Sequence, residues 1–464
     1  MTADLRPPSP NRPRFIAAIA EYFNFAAVQT TFRTEAIAGC TTFFTMAYIL
    51  VVNPAILSNA IFLEEAGDLF GELAIATALA AAIATLVMAL GAKYPFALAP
   101  GMGLNAYFAF SVVLGLGVAW PVALAAVFIE GLLFMVLSVT KVRSQLVALI
   151  PEGLKQATAG GIGLFIAYIA LAGNPETGGA GLIVASEATM TTLGELGHPH
   201  TLMAIAGILL TSALLARRLP GALLVGILAT AILSWILGIA PPPEAIVALP
   251  PLPVHLWGQA IQGLGAMGAM NWGELVAIVL AFLFVDLFDT VGTLTGLGMK
   301  AGYINPQGQL PRANAAFMAD AVGTTAGALL GTSTVTSYIE SAAGITAGGR
   351  TGFTALTTAG LFGLALFFTP LLAAVPGFAT APALVLVGVL MMGAVRQIRW
   401  DDPAEAIPAF LTLIVMPLSA SIADGLAVGL ITYPVLKTFQ GKFSEVKGGL
   451  WAIAVLFVVK FVWF

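Results

Sequence analysis

GTSTVTSYIESAAGI, at residues 331–345, is a short polar stretch in a chain built mostly from long apolar runs. Its single acid, Glu340, lies among hydroxyl side chains. Another acid, Asp289, stands inside the apolar run LFVDLFDTVGTL at 283–294. A charged side chain at bilayer depth costs roughly 2.5–3.5 kcal/mol and almost always faces a protein interior or a water-filled cavity. We therefore predict that the two acids converge on a polar pocket near the membrane midplane, which binds a ligand with hydrogen-bond donors.

The composition predicts an all-α integral membrane protein. Of 464 residues, 59% are hydrophobic and only 9% are charged, against about 25% charged in soluble domains. The apolar runs are long and continuous, and helices satisfy their own backbone groups in lipid. A single cysteine, Cys40, excludes an internal disulfide framework and a cysteine metal cluster. Because no phosphate-binding loop or hydrolase motif is present, we predict neither an enzyme nor a cofactor or metal site.

The apolar runs predict fourteen transmembrane spans, at 36–58, 72–91, 97–113, 118–140, 153–172, 200–216, 220–239, 272–298, 314–331, 334–347, 352–375, 379–397, 405–419 and 421–438. Lys and Arg cluster on alternate loops, and the loops 59–71, 173–199 and 240–271 contain neither. The positive-inside rule then predicts a multi-pass membrane protein with both termini cytoplasmic. Three more segments are expected to lie at the membrane interface, at 14–33, 142–150 and 449–464.

Fourteen spans divide into two halves of seven, and an odd number per half inverts the second half relative to the first. The proline-rich stretch 240–254 is the natural joint. The third span of each half is short and rich in glycine and small polar residues, as LAPGMGLNAYFAF at 98–110 and the opening stretch 331–345. Such paired, interrupted segments indicate a transport site, because a helix that begins inside the membrane exposes free N–H groups there.

Other polar residues of the spans have more than one interpretation. Asp286 lies three residues before Asp289 and so near the same helix face, but the polar turn after Asp289 favours Asp289 as the pocket residue. Asp320 is interpreted mainly as a packing hydrogen bond to a neighbouring broken helix, and Glu130 as locally paired. Asn105 either contacts ligand or joins the two short segments. Tyr338 either packs or forms an aromatic wall for a flat heterocycle.

Four motifs give the chain a recognisable pattern: AGCTTFFTMAYILVVNPAIL (38–57), ALAPGMGLNAYFAF (97–110), FVDLFDTVGTLTGL (284–297) and TSTVTSYIESAAGITAGGRTG (332–352). Over residues 33–438 the chain resembles the AzgA-like purine permeases, which belong to the nucleobase–ascorbate (xanthine/uracil permease) transporter group. The resemblance implies a 7+7 inverted repeat, with half-helices in spans 3 and 10 preceded by short strands. It also implies proton-coupled, elevator-like uptake of guanine, hypoxanthine or adenine by a homodimer.

The resemblance also implies a division of the chain. A core domain would comprise 34–140 and 246–375, and a gate domain 141–245 and 376–438. Cytoplasmic or interfacial segments would flank them at 1–33 and 439–464.

The predicted function is therefore a purine nucleobase:proton symporter of the bacterial inner (plasma) membrane, with a uracil, xanthine or other nucleobase permease of the same fold as the alternative. Its partners would be the purine, protons, membrane lipid and a second copy of the chain, and no nucleic acid. The predicted substrate-binding residues are Asp289, Glu340, Asn105, Tyr338, Ile339 and Thr42. The candidates for proton coupling are Asp289, Glu340, Asp320 and Asp286.

Overall fold

A computed structural model describes residues 14–140, 149–175, 178–305 and 309–463. Most of the interfacial segment expected at 142–150 lies outside these ranges, as do the first 13 residues of the segment 1–33. The interfacial segment expected at 14–33 contains two short helices, and the one at 449–464 is helical as far as Trp463.

The described part of the chain is mostly helical. We number its α-helices in chain order as α1 Arg14–Tyr22, α2 Phe25–Val28, α3 Phe32–Met46, α4 Ile49–Leu57, α5 Phe70–Val87, α6 Met102–Ala106, α7 Trp120–Val139, α8 Glu152–Leu171, α9 Pro199–Ala216, α10 Ala222–Ile236, α11 Gln259–Ala266, α12 Trp272–Ala301, α13 Ala313–Leu330, α14 Ser341–Thr346, α15 Gly352–Ala365, α16 Thr369–Ala373, α17 Gly377–Met391, α18 Pro403–Ser419, α19 Ile422–Phe439 and α20 Gly448–Trp463. Two helices continue as π-helix, α5 through Met88–Ala92 and α6 through Tyr107–Gly115.

Nine helices of the described residues, counted with their direct continuations, are long and apolar enough to cross a membrane. Four shorter apolar helices accompany them, at Met102–Gly115, Ala222–Ile236, Pro403–Ser419 and Gly448–Val459. The prediction of a multi-pass, helical membrane protein is confirmed. The segment predicted as a tenth span, 334–347, consists of a strand, a turn and the six-residue helix α14.

Two short strands meet inside this helical body. β1 (Leu98–Pro100) and β4 (Val335–Ser337) pair antiparallel, with Ala99 opposite Thr336. Each strand runs directly into a short helix, β1 into α6 and β4 into α14. Gly101, directly after β1, permits this close approach, because a Cβ at this position would lie only 2.7 Å from the Thr336 methyl carbon. A second hairpin, β2 (Ile183–Ser186) with β3 (Met190–Leu193), lies in the loop between α8 and α9.

Two buried threonines cover the outer edges of the strand pair in the same way. The Thr85 hydroxyl, from α5, accepts from the Leu98 N–H at 2.9 Å and donates to the Leu98 carbonyl at 3.0 Å. The Thr324 hydroxyl, from α13, accepts from the Val335 N–H at 3.1 Å and donates to the Val335 carbonyl at 3.0 Å. The outward-facing backbone groups of Leu98 and Val335 are therefore satisfied without water, as buried backbone in a membrane protein requires.

The far end of α14 is anchored to the first long helix. The Arg350 guanidinium donates to the carbonyls of Ile345 and Gly349 at 2.7 and 2.8 Å. The buried carboxylate of Glu35 accepts from the backbone N–H groups of Arg350 and Thr351 at 3.0 and 3.1 Å. These bonds fix the position of α14, and with it the residues just before this helix.

Replacing Thr85 or Thr324 by valine removes the hydroxyl but keeps the shape of the side chain. We expect each variant to lose about 1–3 kcal/mol of stability, because a buried N–H and carbonyl are left without partners. The matched control is Thr158→Val, since the buried Thr158 hydroxyl bonds to the Leu154 carbonyl of its own helix. Thermal unfolding in detergent measures the effect, and equal midpoints for all three variants would contradict the role of the two edge threonines.

Candidate functional site

A cavity of about 190 Å³ opens where the two short helices begin. The segment Gly101–Gly103 forms one wall, and residues 336–340 form the wall opposite. α12 contributes Asp289 and Thr293. α17 closes the remaining side with three apolar residues, Val387, Leu390 and Met391. The cavity thus combines carboxylates, backbone at two helix starts and an apolar wall, which is the mixture typical of small-molecule sites.

Four of the sequence-predicted residues line this cavity: Asp289, Tyr338, Ile339 and Glu340. The Tyr338 side chain is only 5% exposed, and its hydroxyl donates to the Pro100 carbonyl at 2.5 Å, across the strand pair. Ile339 is 54% exposed. The structure therefore brings together residues from two segments that lie about fifty positions apart.

Glu340 and Asp289 are held very differently. The Tyr48 hydroxyl donates to Glu340 Oε1 at 2.6 Å, and the Thr45 hydroxyl reaches the Glu340 carbonyl at 3.4 Å. Asp289 accepts a longer bond, from the Thr336 hydroxyl at 3.3 Å. One carboxylate is tied firmly to the protein, and the other is held loosely.

Asn105 and Thr42 are buried and do not line the cavity. The Asn105 side-chain oxygen accepts a hydrogen bond from the Ser333 hydroxyl, so it joins α6 to the segment before β4. Thr42 lies against α14, since a Cβ at Gly344 would lie 2.1 Å from the Thr42 hydroxyl oxygen. Both residues support the walls of the cavity, and their role in substrate binding stays a prediction.

Asp286 and Asp320 lie behind Asp289 and are fully buried. The Thr290 hydroxyl contacts Asp320 Oδ2, and it lies 3.5 Å from Asp286 Oδ1 and 3.0 Å from the Thr336 hydroxyl. Because Thr336 also bonds to Asp289, a continuous row of polar groups runs from the cavity to the buried acids. Glu130 is also fully buried and lies close enough to interact with both acids. It therefore belongs to this cluster of buried acids, and its partners come from other helices.

Sequence reasoning missed Tyr48 and the apolar wall of α17. Tyr48 was detectable in principle, because a phenol inside an apolar helix needs a hydrogen-bond partner. The α17 residues gave no signal, since Val, Leu and Met are ordinary in a membrane span.

Comparisons with known proteins find several permeases that are similar to this chain over almost its whole length. A relative from Methanocaldococcus jannaschii is 54% identical over 445 residues, covering 96% of this chain and 98% of its own, and is named as a permease without a substrate. The guanine/hypoxanthine permease PbuO of Bacillus subtilis is 43% identical, with 94% and 99% covered. The adenine permease AdeP of Escherichia coli is 40% identical, with 93% of each chain covered.

A solved structure shows the same fold at low sequence identity. The transmembrane domain of the cyanobacterial bicarbonate transporter BicA superposes with a TM-score of 0.60 at 17% identity, over 84% of this chain and 96% of that one. The model of the permease family matches residues 33–428. This range contains every element of the cavity, and the family relationship confirms that the protein is a transporter rather than an enzyme. The chain belongs to the permease family.

Proposed function

We propose that this protein takes up purine nucleobases and binds them in the cavity between the two helix starts. The observation that carries the proposal is the meeting of Asp289, Glu340 and the Tyr338 ring in that cavity. Relatives at 40–43% identity are named as guanine/hypoxanthine and adenine permeases.

The chemistry of the cavity suits a purine. A purine presents ring N–H and exocyclic amino donors, and hydrogen bonds from such donors to a carboxylate are roughly twice as strong as neutral ones. Glu340 would accept from one N–H edge, and Asp289 would accept from the other side or take a proton. The N–H groups at the start of α6 would meet the purine's acceptors. Tyr338 and the α17 wall would cover the flat faces of the base.

We also propose that uptake is coupled to protons. Asp289, Glu340, Asp286 and Asp320 are the candidate carriers, and Thr336 and Thr290 link the cavity to the buried pair. Asp320 Oδ1 has no hydrogen-bond partner among the described residues, and Asp286 lies beside the buried carboxyl group of Glu130, so a proton bound in this cluster would relieve both situations. A carboxyl group that loads a proton outside and releases it inside would drive the purine inward.

The proposed architecture is fourteen spans in two inverted halves, with core and gate domains at the boundaries predicted from the sequence. The cavity is lined by 101–103 and 336–340 of the proposed core domain and by α17 of the proposed gate domain. A site at the junction of two bodies suits an elevator motion, in which one body carries the ligand past the other. Both termini would be cytoplasmic, and the protein would act as a homodimer in the plasma membrane.

Glu340→Ala tests the site. We expect this variant to lose uptake of labelled guanine and hypoxanthine into proteoliposomes, because it removes the charged acceptor for the purine N–H groups. Glu152→Ala is the control, since Glu152 lies outside the cavity at the exposed start of α8. Full uptake by Glu340→Ala would refute the site assignment. A competition panel that includes uracil and xanthine separates purine transport from the alternative permeases.

Neutral substitutions test proton coupling. In wild-type proteoliposomes we expect an inwardly directed proton gradient to drive purine accumulation, and a protonophore to abolish it. Asp289→Asn, Glu340→Gln, Asp286→Asn and Asp320→Asn neutralise the four candidates one at a time. In the variant that neutralises the proton carrier, gradient-driven accumulation should be lost while exchange of internal for external purine continues. Wild-type accumulation that is insensitive to the protonophore would rule out the coupling, whatever the variants do.

A further inference from the structure

Tyr48 reaches the candidate site from a break in the first long membrane segment. α3 ends at Met46 and α4 begins at Ile49, so Tyr48 lies at the junction between two helices. Its side chain is fully buried, and its hydroxyl donates to Glu340 Oε1 at 2.6 Å. At this distance the bond is a short, charge-assisted contact.

The position of Tyr48 separates it from the ligand-contacting residues. It does not line the cavity, whereas Glu340 does. The hydroxyl is the only polar atom of the side chain, and a buried phenol is costly without a partner. Tyr48 therefore acts on a ligand only through Glu340, by fixing where the carboxylate points.

Glu340 has two carboxylate oxygens, and Tyr48 engages one of them. Because Glu340 lines the cavity, its other oxygen, Oε2, can accept from a donor there. The bond also holds the flexible Glu340 side chain in one rotamer, so less conformational entropy is lost when the ligand binds. Asp289 has only the 3.3 Å contact from Thr336 and lacks this restraint.

We propose that Tyr48 is a positioning residue, which holds Glu340 as a pre-oriented acceptor and thereby sets the affinity for the substrate's N–H edge. This inference rests on the proposed function, because it takes Glu340 as the group that binds the purine. It adds a residue from the first membrane segment to a site otherwise built from the two helix starts, α12 and α17.

Tyr48→Phe removes the hydroxyl and keeps the ring. We expect the KM for hypoxanthine uptake in proteoliposomes to rise about tenfold or more, as for a lost hydrogen bond to a charged group. The maximal rate should change less than twofold, because a residue that only tightens binding does not alter the transport step. A lower maximal rate with an unchanged KM would overturn the proposal.

Tyr433→Phe is the matched control. The Tyr433 hydroxyl also donates to a carboxylate, Glu405 Oε1, at 3.2 Å, and Tyr433 does not line the cavity. We expect its KM to stay within twofold of wild type. A tenfold rise in KM for this control too would show that loss of any phenol hydrogen bond weakens binding, and would overturn the specific role of Tyr48.

Glu340→Asp provides a second variant should Tyr48→Phe fail to fold. It keeps the charge but shortens the side chain, so its carboxylate is drawn away from Tyr48. We expect about tenfold weaker binding of hypoxanthine to purified Glu340→Asp, and wild-type affinity of this variant would contradict the proposal whether or not Tyr48→Phe folds. Where Tyr48→Phe folds, adding it to Glu340→Asp should cause less than a further twofold loss. A further tenfold loss there would contradict the proposal. Absence of hypoxanthine uptake by the wild type would instead refute the proposed function, so the two failures are distinguishable.

Discussion

The pairing of two short strands inside the membrane is the constraint on which the rest of this structure depends. An extended backbone cannot satisfy its own N–H and carbonyl groups, and lipid supplies no partners. β1 and β4 satisfy each other, and Thr85 and Thr324 satisfy Leu98 and Val335 on their outer edges. Only with this arrangement can two helices begin in the protein interior and present their first residues to a common cavity.

The two carboxylates at the cavity have different surroundings, and the difference follows from the elements that carry them. Glu340 immediately precedes α14, where the first membrane segment breaks and delivers Tyr48 to it. Asp289 lies within the continuous helix α12, opposite the strand residue Thr336. The cavity therefore contains one acceptor with a fixed orientation, Glu340, and one whose side chain can adjust to the ligand, Asp289.

The sequence predicted the class of protein and the unusual elements better than the contacts between them. Charges within apolar runs and Gly/Pro-interrupted spans pointed to 98–110 and 331–345, because these features are costly in lipid and need a structural reason. Which side chains would meet could not be predicted, since it depends on packing between distant spans. Asn105 and Thr42 illustrate this: they lie in the expected segments, but the Asn105 side chain accepts from the Ser333 hydroxyl and the Thr42 side chain packs against α14. Tyr48 escaped notice because its partner lies 292 residues away.

The strand pair also has a consequence for how the protein is made. Tyr338 and Pro100, which are joined across the strands, are 238 residues apart in the chain. Ribosomes add roughly 5–20 residues per second, so β1 is synthesised roughly ten to fifty seconds before β4. During that interval its backbone lacks the partner that makes it tolerable in lipid. We therefore expect β1 to be kept away from lipid, by the insertion machinery or outside the bilayer core, until β4 has been synthesised. The cavity can form only after that point.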